Sequence, residues 1–214
     1  MIHSGSRNLG KKVADYYNKI AVDLNEKWYS KIDKSHQLAF LPINTEEAKS
    51  YIHEMQYCVE FALANRNQMI ERIKEIFTNE FPDISFGFSL NVAHNYAAME
   101  NHFKQNVMVH RKGATSARAE QYGIIPGPQG TKSYIVQGKG NPESFESCSH
   151  GAGRTMGRKQ AIKELDLATE QALLDKQGII HSINESPQLD EAPSAYKNID
   201  VVMENQKDLV DIVV

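Results

Sequence analysis

A histidine precedes a glycine-rich turn and two arginines in the stretch SCSHGAGRTMGR, residues 147–158. The small residues 151–153 cannot pack a core, but they let a ligand approach the backbone N–H groups closely. The residues that follow predict a helix, which would place the turn at its N-terminus, where anions are favoured. Arg154 and Arg158 would share one helix face, a spacing suited to a phosphate. His150 is therefore a candidate base, metal ligand or nucleophile, although a hydrogen-bonded loop histidine fits the same residues.

The distribution of charge supports an anionic ligand near this stretch. The 214-residue chain carries a net charge of −3, but residues 104–163 hold ten Lys and Arg against three acidic residues. Residues 164–214 reverse the balance, with three Lys against eleven acidic residues. The basic segment contains the glycine-rich loops, as a phosphate-bearing ligand requires. A solvated basic face would give the same count.

The two cysteines and the hydropathy indicate a cytoplasmic protein. Cys58 and Cys148 lie far apart and outside any C-x-x-C spacing, which fits a reducing compartment. Cys148 lies two residues from His150, so a Cys/His metal pair is conceivable. No apolar run approaches the about 20 residues that cross a bilayer, and no signal-peptide pattern is present.

Amphipathic helices and short strands predict an α+β fold with one domain over residues 1–214. Apolar residues at helical spacing predict a helix from Asn8 to about Ser30, and a second from an Asn44 N-cap to about Thr78. Alternating residues 86–92 predict a half-buried strand whose inner face includes His94.

Turns and a closing helix are expected in the second half of the chain. Glycine and proline crowd residues 123–140, which predicts turns that carry a site, with a strand at Ser133–Val136. A final helix, capped by Ser194, is predicted near the end of the sequence.

Five segments in order resemble the RtcB-type RNA ligases. Together they span almost the whole chain: IHSGSRNLG (2–10), AHNYAAMENHF (93–103), RKGATSARAEQYGIIPG (111–127), KSYIVQGKGNPESFESCSHGAGRTMGR (132–158) and DEAPSAYKNIDVVMENQKDLV (190–210). The resemblance implies an enzyme that joins RNA ending in a 2′,3′-cyclic phosphate or 3′-phosphate to RNA beginning with a 5′-hydroxyl, using GTP and Mn²⁺. It implies that His150 attacks the α-phosphate of GTP and becomes guanylylated, which divides one hard step into easier ones.

The resemblance also assigns the other site residues. It implies Mn²⁺ ligation by His3 and His94, and contact with RNA phosphates by Arg7, Lys112, Arg154 and Arg158. The positions that it places around GMP are His94, Asn95, Pro126, Gly127, Pro128, Gln129, Ser133, His150, Gly151, Ala152, Gly153 and Tyr196.

The sequence departs from the family pattern at several places. The family's usual PGSMG loop reads PGPQG here, so Pro128 replaces a serine and removes a hydroxyl and an N–H. Gly157 stands where a serine is usual. Three family metal ligands (an aspartate, a cysteine and a histidine) and a terminal lysine have no counterpart in the sequence. We therefore expect a C-terminal portion of such a ligase, completed by an N-terminal segment or an activating protein.

Three functions remain open from the sequence. The chain could be a GTP- and Mn²⁺-dependent RNA ligase, or one piece of a split ligase. It could also be a binding module for guanine nucleotides or RNA ends without turnover. A metal-dependent phosphoesterase would use the same ligands with water as the nucleophile.

Overall fold

Two long helices dominate the first part of the chain. The computed structural model describes residues 1–33 and 35–214, which divide into two compact units, residues 1–96 and 97–214. In the first unit, α1 (Leu9–Lys27) packs against α2 (Glu46–Glu80). Both predicted helices are confirmed. The hydroxyl of Thr45 accepts the Ala48 N–H at 3.2 Å, so α2 is capped one residue after the predicted Asn44.

The predicted strand before His94 is wrong. Residues 85–94 lie outside any strand, and β1 begins only at Asn95 and extends to His102. Phe88 is 74% exposed, so the alternating phenylalanines do not mark a buried face. A strand needs a neighbour for its backbone groups. Within residues 1–33 and 35–94 the described secondary structure is helical, so no strand there pairs with this segment.

Three small sheets form the framework of the second unit. β1 pairs with β2 (Gln105–Lys112) to form a two-stranded sheet. β3 (Ala114–Ser116) pairs antiparallel with β6 (Ser147–Ser149). The third sheet has the antiparallel order β4-β5-β7, with bounds Tyr122–Ile125, Tyr134–Gly138 and Val210–Ile212. Short antiparallel strands beside helices confirm the α+β class.

Short helices follow the strands. These are α3 (Arg158–Glu164), α4 (Leu167–Asp175) and α5 (Ile199–Glu204), with 3₁₀ turns at Ser186–Glu191 and Pro193–Ala195. The prediction of a single closing helix capped by Ser194 is wrong. The side chain of Asn198 caps α5, and the segment beyond it forms β7 because Val210–Ile212 pairs with β5. No helix in the described part of the chain is long and apolar enough to cross a membrane.

Two apolar clusters hold the second unit together. The larger contains Ala117, Ile125, Val136, Cys148, Ala152, Ile199, Met203 and Val210. The smaller contains Leu174, Ile183, Leu189 and Ala192. The larger cluster includes Cys148 and Ala152, which flank the position of His150 in the chain. The loop that carries the candidate nucleophile is therefore anchored in the core on both sides.

Candidate functional site

His150 directly follows the paired strand β6. Ser149 lies opposite Ala114 of β3, and the chain before Ala114 turns at Gly113, whose φ of 73° is left-handed. A β-carbon on Gly113 would lie 3.6 Å from Cε1 of His150, so the imidazole packs beside this glycine. The pairing of two short strands thus fixes the backbone that leads to the half-buried His150.

The buried Gln206 supports the residue before His150. Its Oε1 accepts the Ser149 N–H at 2.9 Å, and its Nε2 donates to Sδ of Met203 at 3.3 Å. The hydroxyl of Ser149 donates to the carbonyl of Gly151. Gln206 was absent from the sequence prediction because a lone glutamine after a helix carries no recognisable signal.

The turn 151–153 is held between two other predicted nucleotide-binding segments. The Ala152 N–H donates to the Pro126 carbonyl at 3.0 Å, and the Gly153 carbonyl accepts the Lys197 N–H at 2.9 Å. A β-carbon on Gly151 would lie 3.2 Å from the Pro126 oxygen, so this close approach favours glycine. The structure therefore joins the turn to the loop 126–129 and to the strand-like segment beside Tyr196.

The predicted helix N-terminus at this turn is wrong. α3 begins at Arg158 with Gly157 as its N-cap. Arg154 forms a backbone bridge with Tyr196, and the Thr155 N–H donates to the Ala195 carbonyl at 2.9 Å. The bridge at Arg154 and the bend that follows it separate the turn from α3, so the turn does not lie at the positive end of a helix dipole.

Arg154 and Arg158 still converge, but on a carboxylate. Nη1 of Arg154 lies 3.5 Å from Oε2 of Glu191, and Nη2 of Arg158 lies 2.9 Å from Oε1 of the same side chain. Arg154 also covers one face of Tyr196, with its guanidinium carbon 4.7 Å from the ring centroid. Burial, reinforced by the adjacent carboxylate, raises the pKa of Tyr196 to about 12, so its hydroxyl donates to Glu191.

A cavity of about 740 Å³ opens beside Tyr196. Its walls come from the loop after β4, from the chain after α4, and from the start of α5 with the segment that leads into it: Pro128, Gly130, Thr131, Lys132, Ile179, Pro193, Tyr196, Lys197, Asn198, Ile199 and Asp200. Of the predicted GMP-binding residues, Pro128 and Tyr196 line it. Lys132 and Lys197 add positive charge and were not predicted, although each adjoins a predicted residue in the sequence.

The other predicted residues of this segment, Gly127, Gln129 and Ser133, each adjoin a cavity-lining residue in the chain. A β-carbon on Gly127 would collide with the Lys132 carbonyl, so only glycine fits there. Gln129 is exposed, and its Nε2 lies 3.5 Å from the Glu191 carbonyl oxygen. Ser133 is exposed immediately before β5 and does not line the cavity.

Arg111 has a different role from its exposed neighbour Lys112. Its guanidinium is buried and donates to Oε1 and Oε2 of Glu100 at 2.6 and 2.9 Å. It also donates to the Phe145 carbonyl at 2.9 Å and to Ser147 Oγ at 3.0 Å. The hydrogen bond from Arg111 is the main reason that the pKa of Glu100 falls to about 2. Arg111 therefore ties β1 and β2 to the segment that leads to His150.

Cys148 is buried beside Thr115. It lies in the larger apolar cluster, its thiol is 3.3 Å from the Thr115 hydroxyl, and burial raises its pKa. A buried thiol with a raised pKa is a poor ligand because the thiolate is the coordinating form. This environment makes Cys148 a weaker candidate than His150 for holding a metal.

His3 and His94 lie side by side in the first unit. Their ring centroids are 5.2 Å apart. The chain beside His3 is held on α2, because Arg66 donates to the Ser4 carbonyl at 3.1 Å and Asn65 donates to the Ser4 hydroxyl at 3.0 Å. The structure thus brings together the two histidines to which the family resemblance assigns a metal.

The donor set around these histidines is small. Among residues 1–33 and 35–214, no group of three or more His, Cys, Asp or Glu side chains is placed to hold a metal ion. Arg7 is exposed at a left-handed turn before α1, and Asn95 is exposed at the start of β1. Two imidazoles match the ligand chemistry of a transition metal only in part.

Comparison with known proteins places these features in a family. The family model "RtcB: tRNA-splicing ligase RtcB" matches residues 1–214. The RNA-splicing ligase RtcB of Escherichia coli (strain K12) is 38% identical over 219 residues, covering 100% of this chain and 53% of that protein. The tRNA-splicing ligase RtcB of Methanococcus maripaludis is 36% identical over 226 residues, covering 94% of this chain and 47% of that protein. The chain spans about half the length of these curated relatives, and it belongs to the RtcB family.

Proposed function

We propose that this chain carries the guanylylation and RNA-end-binding part of an RNA ligase that joins 3′-phosphate or 2′,3′-cyclic phosphate ends to 5′-hydroxyl ends. The observation that carries the proposal is the bonding of the turn 151–153 to two other predicted nucleotide-binding segments. Ala152 is tied to Pro126, and Gly153 is tied to Lys197. Residues that the family resemblance groups around GMP are thus neighbours in space.

The cavity beside Tyr196 supports a nucleotide rather than RNA alone. Its volume of about 740 Å³ lies in the range of small-molecule sites. Tyr196 supplies an aromatic wall for a base, and Lys197 adds positive charge, whereas Lys132 lies 3.9 Å from Oδ1 of Asp200 in the same wall. We place the guanine of GTP in this cavity, with its phosphates extending toward the glycine turn.

His150 is the nucleophile in this proposal. An imidazole nitrogen attacks the α-phosphorus of GTP, a nitrogen–phosphorus bond forms, and the bond to the leaving pyrophosphate breaks. The GMP is then transferred to the RNA 3′-phosphate, and the 5′-hydroxyl displaces it. The strand pairing beside Gly113 fixes the backbone that leads to His150, so little backbone freedom is lost there when GTP binds.

Mn²⁺ remains part of the proposal, with His3 and His94 as two of its ligands. When bound, it would neutralise charge on phosphate oxygens. The described residues supply only this pair of imidazoles and do not complete a site for the ion. We therefore derive no step through the metal.

Covalent labelling tests the proposed nucleophile. The purified chain is incubated with Mn²⁺ and GTP labelled at the α-phosphate, then run on a denaturing gel beside His150→Ala. His110→Ala is the matched control, because His110 is exposed on β2. We expect an acid-labile label on the parent and the control but not on His150→Ala. A label that persists in His150→Ala contradicts the assignment of the nucleophile.

The second candidate is a binding module without turnover. It requires only the bonded turn 151–153 and the cavity beside Tyr196, and no completed metal site. It predicts saturable binding of GTP or RNA ends with no covalent label on a folded protein. Label that appears only after the remaining half of a relative is added would instead indicate a split ligase.

A further inference from the structure

Three consecutive residues of α2, Asn65, Arg66 and Asn67, bond to two distant parts of the first unit. Nε of Arg66 donates to Oδ1 of Asn91 at 2.6 Å, and its Nη1 donates to the Ser4 carbonyl at 3.1 Å. Asn65 donates to the Ser4 hydroxyl at 3.0 Å. Oδ1 of Asn67 accepts a hydrogen bond from Asn91 at 2.7 Å. One half-buried guanidinium therefore joins the segment around Ser4 to the segment around Asn91.

Each of these two segments carries a candidate metal ligand. Ser4 adjoins His3 in the chain, and Asn91 lies three residues before His94. The imidazole centroids of the two histidines are 5.2 Å apart. Both segments lie outside the helices and strands, and they gain a fixed reference from a helix of 35 residues. The bonds from Arg66 thus connect the two chain segments on which the distance between the imidazoles depends.

On the basis of the proposed Mn²⁺ ligation by His3 and His94, we propose that Arg66 is a positioning residue that brings the two imidazoles together before the ion binds. A guanidinium suits this role because its N–H groups are fixed in one plane and can hold two acceptors at once. Sites supported by helices are held more precisely than sites built on loops. Ligands that are already in place lose less freedom on binding, so the affinity for the ion is higher.

The charge of Arg66 allows its positioning role to be separated from an electrostatic one. A nearby positive charge repels a bound cation, so removing only the charge would strengthen Mn²⁺ binding. Removing the hydrogen bonds releases the two segments and weakens Mn²⁺ binding. The substitution Arg66→Met removes both the charge and the donors but keeps a long side chain, so the direction of the change identifies the dominant role.

The test compares Arg66→Met with the parent chain by NMR of the histidine rings, without GTP or RNA. In the metal-free protein, a nuclear Overhauser cross-peak between ring protons of His3 and His94 reports that the rings are close. Mn²⁺ is then titrated, and the broadening of these ring signals gives its dissociation constant at the pair. The ring of His53, exposed on α2 about 20 Å along the helix from Arg66, is the internal reference.

We expect Arg66→Met to lose the cross-peak and to raise the dissociation constant for Mn²⁺ by about tenfold. Asn91→Ala is a second variant at an exposed position outside α2, and it should also lose the cross-peak. Arg72→Met is the matched control, because the Arg72 side chain is 69% exposed and bonds to Glu75 of the same helix at 2.9 Å. It should leave both readouts unchanged. Far-UV circular dichroism verifies that each variant folds, and Asn91→Ala alone decides if Arg66→Met does not.

Three results would overturn the inference. A cross-peak that persists in Arg66→Met and Asn91→Ala would show that other contacts place the histidines. Tighter Mn²⁺ binding by Arg66→Met would show that the charge of Arg66 outweighs its bonds. A parent chain without the cross-peak would show that the two rings are not held together.

Failure of the proposed function would look different. A parent chain that shows the cross-peak but no Mn²⁺ broadening would contradict metal ligation by His3 and His94. The cross-peak in the metal-free variants would still decide whether Arg66 positions the pair. The labelling of His150 reports on the proposed nucleophile in a separate experiment.

Discussion

Replacement of Arg111 by methionine would leave the Glu100 carboxylate buried without its principal cation. The two side chains are 1% and 5% exposed, and they share two hydrogen bonds. The substitution also removes the donors to the Phe145 carbonyl and to the Ser147 hydroxyl. We expect a large loss of stability in residues 97–214, because burial of an unpaired charge is costly.

The structure gives the magnitude in two ways. The pKa of Glu100 falls from 4.5 to about 2, which corresponds to about 3 kcal/mol in favour of the charged form, most of it from Arg111. Removing one member of a buried ion pair costs about 3–5 kcal/mol in other proteins. His102 still contacts Glu100 at 2.9 Å in the variant, so we take the lower value, about 3 kcal/mol.

Hydrogen exchange of the β5 amides measures this loss. A loss of about 3 kcal/mol speeds their exchange by about 100-fold when exchange requires opening of the unit. Fluorescence of the sole tryptophan, Trp28, reports on the first unit and serves as an internal control. Adding Glu100→Gln to Arg111→Met should recover about half of the loss, because no charge is then left buried. Acceleration below about fivefold, or no recovery in the double variant, would refute the reasoning.

Three further predictions concern stability. The pKa of Glu100 lies below its unfolded value, so its contribution to the free energy of unfolding is fully present above about pH 4.5. An acid titration should show that the free energy of unfolding falls by about 3 kcal/mol between pH 4.5 and 2. Gly127→Ala would force a β-carbon against the Lys132 carbonyl and should cost about 1–3 kcal/mol by urea unfolding, whereas Gly87→Ala enters open space and should change stability by less than about 0.5 kcal/mol. Gln206→Met leaves a backbone N–H without its acceptor and should cost about 1–3 kcal/mol, and a thermal melt that matches the parent would contradict this role.

Helical periodicity predicted the long elements well because it is a local property. Tyr17 and Ala21 are buried at the expected four-residue spacing, and α1 lies within the predicted bounds. The N-cap of α2 fell on Thr45 rather than Asn44 because both side chains can accept an N–H there. The alternation of residues 86–92 led to a wrong strand prediction. A strand needs a neighbouring strand for its backbone hydrogen bonds, and the local sequence does not specify that neighbour.

The candidate site likewise contains features that the sequence predicts and features that it does not. The turn at His150 was predictable because the spacing of the glycines and the family segments can be recognised in the sequence. The buried role of Arg111 was not, because its neighbour Lys112 has the same charge and only the inward or outward direction of β2 separates them. Glu191 and Gln206 act through contacts with residues more than thirty positions away in the chain, and no local pattern marks such a contact.

The bonds that hold the turn 151–153 also affect the order of folding. Pro126 precedes the turn and Lys197 follows it at long sequence separations, so both loops must close before either bond stabilises the chain. Contacts of this kind form late, after local helices and hairpins. A refolding chain should therefore regain its helical signal before the turn 151–153 forms its two bonds. Any unfolded chain in the cell would pass through a stage that resembles the native protein in secondary structure but lacks the bonds that join residues 151–153 to Pro126 and Lys197.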